Sequence, residues 1–437
     1  MMARKVKEVF GISNEVLTDS YVDRGSLDEQ VGALVEARQV HIALRGPSKC
    51  GKSWLRRTVL AEPIVVQCLL HKTCADLYTD ALSQLGIELQ IESTKSKIFK
   101  GTLRAYGETG GKLLSRVGLD ASVEQQRTST QKTVPAGRDI NDLRFVADII
   151  RESRRRLVIE DFHYLTLVER AAFAFDLKAF WDWGVQVIII GVWSIDNMLL
   201  TLNSDLTARI EEVTVEWSSC DLGRILDKGG SALNMCFADP LRSKLIEAAY
   251  GNAGQLQTLI VRALADMKVN ESAPSYAHFT DAKIAEDSAM EYAEQLNPRY
   301  QVFAEKVASG IRKRTKSTNI YAHTMAVIMN ASDSDLIKGL SIDHIYERAK
   351  ARQPRILLGN LKSVLSKIEA LQVDSEGRGL VLAYDPRRGV SVVDRQLLLY
   401  RRFATVSWPW EDIIAASSAD ESLEADDDES SEPTLFS

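Results

Sequence analysis

The chain has 437 residues, 45% hydrophobic and 26% charged, which excludes a collagen-like or largely disordered protein. Its five cysteines lack the C-x-x-C pairs of zinc sites and the density of disulfide frameworks, so we expect a reducing, cytoplasmic setting. The longest apolar run, 185–193, is too short to span a membrane, so no membrane contact is expected.

Charge is unevenly distributed along the chain. The net charge is −6, but residues 420–437 contain eight acidic residues and no basic one, so the rest carries +2. Residues 93–138 carry a net charge of +6, and residues 301–402 about +8. Basic segments beside an acidic tail favour contact with nucleic acid, for which the tail would compete. The alternative is that the basic segments and the tail are all solvated surface.

The first predicted elements are a helix, a strand and a glycine-containing segment. Ser26 and Glu29 have the spacing of a capping box at the start of the helix. Residues 40–44 are apolar and predict a buried strand, and a helix is predicted from Trp54. The segment between them fits the pattern G-x-x-x-x-G-K-[ST] and consists of Gly46, Pro47, Ser48, Lys49, Cys50, Gly51, Lys52 and Ser53.

This segment has the residues of a phosphate-binding loop. Its glycines let the backbone wrap closely, so that successive N–H groups point at phosphate oxygens. A lysine at position 52 reaches the β- and γ-phosphates, and a hydroxyl at position 53 binds Mg²⁺. Because a strand, the loop and a helix follow one another as the motif requires, we predict that residues 46–54 bind ATP with Mg²⁺.

The next predicted elements lead to a second group of candidate site residues. A strand at 64–68 and a helix at 76–85 precede a basic, glycine-rich insertion at about 86–137, which we expect to be irregular and partly helical near 112–117. A helix is predicted at 140–151. An apolar strand then ends in Glu160 and Asp161.

Two carboxylates at the end of a buried strand suit a nucleotide site. A parallel strand delivers them to its carboxyl edge, beside the phosphate loop. We place Glu160 with Ser53 at the metal and Asp161 at the attacking water, with Lys52 on the phosphates. Since the usual order is Asp and then Glu, the two roles can also be exchanged.

A further strand is predicted at 185–190. Ser194 or Asn197 follows it and is a candidate for contact with the γ-phosphate or the water; an ordinary turn is an equal alternative. Asp205 to Arg209 then lead into a strand at 213–217 that contains Trp217.

The C-terminal region has its own pattern. Helices are predicted at 320–329, from Ser341 to Pro354, and at 356–371, followed by a strand, a turn and a strand at 379–393. Three helices and a hairpin predict a winged helix, which binds duplex DNA or docks proteins. Its phosphate contacts would come from Lys362, Lys367, Arg387 and Arg388.

These features together resemble the AAA+/STAND division of P-loop ATPases, in particular origin-recognition-type and transposition-regulator ATPases. The similar parts are the phosphate loop, the strand ending at Asp161, Tyr21 to Arg24 before a helix, and Asp205 to Arg209. The resemblance covers about residues 15–270. It implies that Val22 and Arg24 lie beside the adenine, and that Arg209 reaches the nucleotide of a neighbouring subunit in a homo-oligomer.

The resemblance also suggests how the chain is divided. The predicted fold is α/β, a P-loop NTPase core with a parallel sheet, a helical lid and a C-terminal winged-helix domain. Gln255 stands in the lid where the family often has an arginine that touches nucleotide. The predicted boundaries are 1–218 for the core, 219–270 for the lid, 271–318 for a helical linker, 319–405 for the winged-helix domain and 406–437 for an acidic disordered tail.

Two functions are open on these grounds, beside a scaffold that uses ATP only for stability. The first is an ATP-hydrolysing, nucleotide-dependent oligomeric switch that senses nucleic acid or a foreign component and controls an effector protein, in bacterial anti-phage defence. The second is a DNA-binding initiator or transposition regulator. The first is favoured because the chain carries no motif of a nuclease, deaminase or protease, and so would act through another protein.

Overall fold

The computed structural model describes residues 3–92, 100–105, 107–117, 122–123, 132–136, 143–193, 195–310, 318–372, 379–405 and 407–416. These residues form two compact units. The first unit contains Val22–Glu216 with Asn14–Val16, and the second contains the described residues from Trp217 onward, Leu17–Tyr21 and those up to Ser13. In the described ranges, no helix combines the length and the apolar character needed to cross a membrane.

The first unit is built on a five-stranded parallel sheet. Across the sheet the strands have the order β2-β3-β4-β1-β5. The predicted α/β core with a parallel sheet is therefore confirmed. In chain order the strands are β1 (His41–Arg45), β2 (Ile64–Gln67), β3 (Leu157–Glu160), β4 (Val187–Gly191) and β5 (Ile210–Thr214).

The strands form where short aliphatic runs are buried. β4 is buried at all five positions, as expected for a central parallel strand. The register aligns the carboxyl ends, since Arg45 pairs with Gly191 on one side and with Thr214 on the other. The segments that follow β1, β4 and β5 therefore leave the sheet at the same edge.

Helices connect these strands. The helix before β1 does not begin as predicted: Ser26 has a left-handed backbone (φ 63°), and its side chain makes no capping hydrogen bond. The Asp23 carboxylate instead accepts a hydrogen bond from the Asp28 N–H at 3.1 Å. The helical segments are Leu27–Ala37, Lys52–Val59, Cys74–Ser83, Gly107–Arg116, Leu143–Ser153, Leu167–Asp182 and Met198–Leu202, with 3-10 turns at Phe162–Tyr164 and Ser204–Leu206.

The insertion differs from the expectation of an irregular segment. It contains a four-stranded antiparallel sheet as well as the helix Gly107–Arg116. The sheet forms by pairing between strands that are distant in sequence, so the local pattern did not reveal it. Its strands are Ile87–Glu92, Lys100–Ala105, Ser122–Val123 and Lys132–Ala136.

The second unit is mainly helical. A parallel pair of short strands, Met235–Phe237 and Ala277–Phe279, joins its helices, and an antiparallel hairpin is formed by Leu382–Asp385 and Gly389–Val392. Its helices are Val6–Val9, Ser219–Ala232, Leu241–Ala248, Ala253–Asp266, Ala282–Ser309, Ile320–Asn330, Asp333–Lys338, Ile342–Arg352, Leu358–Leu365, Ile368–Gln372 and Gln396–Phe403.

The C-terminal elements match the prediction in part. Ser341 caps its helix as expected, by accepting a hydrogen bond from the His344 N–H. The single helix predicted at 356–371 is wrong, because the chain forms two short helices that are separated at Ser366 and Lys367. The expected hairpin is present, with its turn between Asp385 and Gly389.

A buried polar cluster connects the long helix Ala282–Ser309 to the C-terminal helix. The Asp394 carboxylate is 1% exposed and accepts hydrogen bonds from the Tyr300 hydroxyl at 2.9 Å and the Arg299 guanidinium at 2.7 Å. Burial, together with the nearby Asp394 charge, raises the pKa of Tyr300 well above its usual range, so this hydroxyl remains a donor. A buried charge with these partners fixes how the two helices pack.

His41 is a buried polar residue at the start of β1. Its Nδ1 accepts a hydrogen bond from the Val187 N–H at 3.0 Å, and its Nε2 donates to the Leu177 carbonyl at 2.8 Å. The ring is therefore neutral, with one tautomer selected by its partners. Burial lowers the pKa of His41 from 6.5 to about 4.

This lowered pKa predicts that acid destabilises the first unit. Below pH 6.5 the unfolded chain takes up a proton that folded His41 does not accept, so stability falls as the pH is lowered toward 4. Between pH 7.5 and 5 the loss is about 2 kcal/mol. Urea unfolding at pH 7.5 and pH 5 measures the free energy of unfolding. His41→Gln should be less stable than the wild type at pH 7.5 but should lack this part of the loss at pH 5. An equal loss of stability in both proteins would contradict a lowered pKa of His41.

Candidate nucleotide site

The phosphate loop lies between β1 and the helix Lys52–Val59, which we call the loop helix. Lys49 and Gly51 have positive φ values of 62° and 88°. A Cβ on Gly46 would lie 2.5 Å from the Val215 carbonyl oxygen, so only glycine fits there. A loop with this backbone at the start of a helix suits an anion such as a nucleotide phosphate.

Lys52 is the first residue of the loop helix, and its side chain folds back over the loop. Its ammonium donates hydrogen bonds to the carbonyls of Gly46 at 2.9 Å and Pro47 at 2.7 Å, and it lies 3.6 Å from the Cys50 sulfur. The residue is 9% exposed. Two carbonyl groups of the loop thus hold the ammonium group that the motif predicts to contact phosphates.

The two predicted acids lie at the same sheet edge as the loop. Glu160 is the last residue of β3, and Asp161 follows it with φ 56°. Since β4 separates β3 from β1, the two strand ends are about 10 Å apart. The structure therefore brings Glu160 and Asp161 to the loop edge, as expected.

The two carboxylates point in different directions. Glu160 forms an ion pair with Arg56 of the loop helix, with 2.9 Å between Oε1 and Nε. Asp161 accepts a hydrogen bond at 2.6 Å from the side-chain amide of Gln67, the last residue of the edge strand β2. Glu160 is thus directed to the loop helix and Asp161 away from it.

Sequence reasoning missed Arg56 and Gln67. Arg56 lies one turn after Lys52 on the loop helix, a spacing that places both on the same side. Gln67 is a polar residue at the end of an apolar strand and is in register with Glu160. These two positions are the only local signals of their roles, because each partner is more than 90 residues away.

His163 lies close to the site, in the turn that follows Asp161. Its burial, together with the charges of Lys52 and Arg170, lowers its pKa from 6.5 to about 3. His163 is therefore neutral at physiological pH. Its ring packs against Tyr164, with ring centroids 4.4 Å apart.

Arg209 lies at the other edge of the sheet. It directly precedes β5, and its carbonyl accepts a hydrogen bond from the His41 N–H at the start of β1, 2.8 Å away. Its guanidinium stacks on the ring of Trp181, 4.8 Å from the centroid. Because β1 runs from this edge to the loop edge, the structure does not bring Arg209 to the phosphate loop of its own chain.

The segment after β4 is anchored by a half-buried carboxylate. Glu212 accepts hydrogen bonds from the Asn197 N–H at 3.0 Å and the Trp193 indole at 3.1 Å, and it pairs with Arg45 at 2.9 Å. Asn197 is thus held near the ends of β1 and β5 through its backbone. Ser194, the other candidate, lies outside the described residues.

The remaining candidate site residues lie in three parts of the chain. Val22 and Arg24 are buried in the first unit, ahead of the helix Leu27–Ala37, and Trp54 is half-buried on the loop helix. Ser53 is exposed at the start of that helix. In the second unit, Gln255 is fully buried and donates its side-chain amide to the Ala248 carbonyl.

The donors at the loop edge suit Mg²⁺ carried by a nucleotide. Among the described residues there is no group of three or more His, Cys, Asp or Glu that could hold a metal ion. Mg²⁺ prefers oxygen ligands and usually binds through one or two protein groups plus phosphates and waters. The Ser53 hydroxyl and the Glu160 carboxylate fit that pattern.

Comparison with known proteins gives structural matches alone. No family model matches the sequence, and no curated protein matches it. The Aeropyrum pernix Orc1 protein, solved in complex with DNA, is 11% identical at a TM-score of 0.39, covering 95% of this chain and 98% of that one. The Thermotoga maritima RuvB Holliday junction branch migration motor is 12% identical at 0.34, with 84% and 92% covered.

A third match is a Signal Transduction ATPase with Numerous Domains (STAND) from Pyrococcus horikoshii, which has a tetratricopeptide repeat sensor. It is 10% identical at a TM-score of 0.37, covering 96% of this chain and 47% of that one, so this chain spans about half its length. The strand order, with the loop after β1, is that of a P-loop NTPase core.

The space around Gly46 predicts that Gly46→Ala weakens nucleotide binding by more than about tenfold, or 1.4 kcal/mol, because the new Cβ displaces the loop from the Val215 carbonyl. Titration with a fluorescent ATP analogue measures this. Gly32→Ala is the matched control, since a Cβ there meets nothing within 4 Å. It should bind normally and gain about 0.4–1 kcal/mol of stability. Normal binding by Gly46→Ala would contradict the assignment.

Proposed function

We propose that this chain binds and hydrolyses ATP at the loop edge of its parallel sheet, as an AAA+/STAND-type ATPase. The observation that carries the proposal is the meeting of a glycine-dependent phosphate loop with Glu160 and Asp161 at one sheet edge. An anion cradle alone would suit any phosphate ligand. Two carboxylates about 10 Å away add the groups that hydrolysis of a terminal phosphate needs.

Each residue has a distinct role in this proposal. The Lys52 ammonium exchanges its bonds to the Gly46 and Pro47 carbonyls for phosphate oxygens. Ser53 and Glu160 would hold Mg²⁺, which, when bound, offsets phosphate charge and orients the terminal phosphate. Asp161 orients the attacking water and takes up its proton. The direction of Glu160 toward the loop helix supports this division over the exchanged one.

Arg209 supports action between subunits. It lies at the edge of the sheet opposite its own phosphate loop, and Trp181, which is 38% exposed, holds its guanidinium. An arginine at that edge can stabilise transition-state charge only at the site of another copy. We therefore propose a homo-oligomer in which each site is completed by a neighbour, and whose assembly depends on the bound nucleotide.

This arrangement predicts complementation between two inactive variants. Asp161→Asn and Arg209→Ala should each keep ATP binding but lose turnover by about 10³-fold. An equimolar mixture should recover about a quarter of the wild-type rate, because one interface in four joins an intact Asp161 to an intact arginine. Steady-state ATP turnover of each protein and of the mixture measures this.

The control for Arg209 is Arg144→Ala. Arg144 also stacks on a tryptophan, Trp183, at 5.3 Å from the ring centroid, and we expect near-normal turnover without it. A mixture as inactive as its components would remove the role between subunits. Binding of ATP by Lys52→Ala as tight as by the wild type would remove the proposed function.

A second candidate function, duplex DNA binding by a winged-helix domain at 319–405, is favoured by the C-terminal hairpin. Leu340, ahead of the helix Ile342–Arg352, exchanges two backbone hydrogen bonds with Val390, of 2.7 and 2.9 Å, and so adds a third strand segment to the hairpin. The Asp385 carboxylate accepts bonds from the N–H groups of Arg387 and Arg388, at 2.6 and 3.0 Å. The turn of the hairpin thus carries two exposed arginines, which supports the proposal that the hairpin acts as a wing.

DNA binding through this wing predicts that Arg387→Ala/Arg388→Ala weakens duplex binding and lowers the salt slope of log K by about two. Fluorescence anisotropy of a labelled duplex at several salt concentrations measures both. Lys7→Ala/Lys283→Ala removes the same charge from exposed helical positions of the same unit and should bind as the wild type does. An absence of duplex binding at low salt would exclude this function and favour protein docking.

The proposed oligomeric switch would act by controlling an effector protein. A nucleotide-dependent oligomer with a separate C-terminal docking or DNA-binding domain changes its surface when ATP binds, and so can regulate a partner. The effector and the setting of anti-phage defence stay predictions, which no described contact tests.

A further inference from the structure

The ion pair between Arg56 and Glu160 occupies the carboxylate that Mg²⁺ would need. The Arg56 and Glu160 side chains are 9% and 14% exposed, so the pair is largely removed from water. Its single contact joins Nε to Oε1 at 2.9 Å, and it links the loop helix to the end of β3 across 104 residues. Water screens such a pair less than it screens a surface salt bridge.

The position of Arg56 makes this pair more than a packing contact. Arg56 lies three residues after Ser53, and therefore on the same side of the loop helix as the hydroxyl proposed for the metal. A guanidinium there repels a divalent cation and also competes for the Glu160 oxygens. Arg57, the next residue, lies four residues after Ser53 but is exposed, so water screens its charge more than that of Arg56.

We propose that Arg56 is a positioning residue that competes with the metal ion for Glu160 and so raises the Mg²⁺ concentration at which nucleotide binds. This inference rests on the proposed function, because it concerns the metal that accompanies ATP. The pair holds Glu160 while the site contains no metal. Mg²⁺ with nucleotide must draw the carboxylate from the guanidinium, so binding requires more metal than an unpaired acid would.

The test is a titration of Mg²⁺ at a fixed concentration of a fluorescent ADP analogue, followed at equilibrium. Arg56→Gln should lower the Mg²⁺ concentration at half-saturation by about tenfold, the effect of removing one positive charge close to a divalent ion in a partly solvated site. Arg57→Gln removes the same charge from the adjacent exposed position and should leave the titration unchanged. Binding without Mg²⁺ should be similar in all three proteins.

Glu160→Asp provides a test that keeps both charges. The shorter side chain does not reach Arg56, so the competing pair is weakened and the Mg²⁺ concentration at half-saturation should again fall. If Glu160 were only a metal ligand of suitable length, Glu160→Asp would raise this Mg²⁺ concentration. Because both variants act on one pair, Arg56→Gln/Glu160→Asp should show no further decrease beyond either alone.

The outcomes separate the inference from the proposed function. If Arg56→Gln unfolds at lower temperature but keeps the wild-type titration, or if Glu160→Asp needs more Mg²⁺, the pair is structural and the inference is overturned. If the wild type does not bind the ADP analogue, or Lys52→Ala binds it equally well, the proposed function itself is wrong.

Discussion

The first unit depends on one constraint: parallel strands buried in one sheet must end at the same edge. β1 carries the phosphate loop past that edge, and β3 carries Glu160 and Asp161 to it. The aliphatic residues of β4 separate the two strands by a fixed distance, and Glu212 anchors the segment that follows β4 to Arg45. The site is thus a consequence of burial, since no loop has to bring the acids to the phosphates.

Much of this could be predicted from the sequence because its signals are local. The loop motif specifies a backbone that only Gly46 and Gly51 allow, and the apolar runs of β1, β3 and β4 are short and clearly bounded. The acids at the end of β3 follow from the same pattern. The contacts of Arg56 and Gln67 were not predictable, because each pairs with a residue distant in sequence and lies at the end of an otherwise ordinary element.

The failures have two physical causes. The strands of the insertion, such as Lys100–Ala105 and Lys132–Ala136, are short, polar and interrupted by glycine or proline, so they are specified by pairing partners more than by their own residues. Long-range pairing of this kind leaves no periodicity to detect. At Ser26 the cause is local instead, since the Asp23 carboxylate accepts a hydrogen bond from the Asp28 N–H and the Ser26 side chain makes no capping bond.

The strand β1 also connects the two ends of the parallel sheet, which differ in chemistry. His41 and the Gln39 carbonyl bind the helix Leu167–Asp182, through Leu177 and through the Trp181 indole at 2.8 Å, and Trp181 in turn supports Arg209. In an assembly where Arg209 acts at a neighbour's site, each subunit would hold one nucleotide at its own loop and help to cleave the neighbour's nucleotide. The five residues of β1 would separate the two sites. One continuous backbone, β1, would therefore link the two sites.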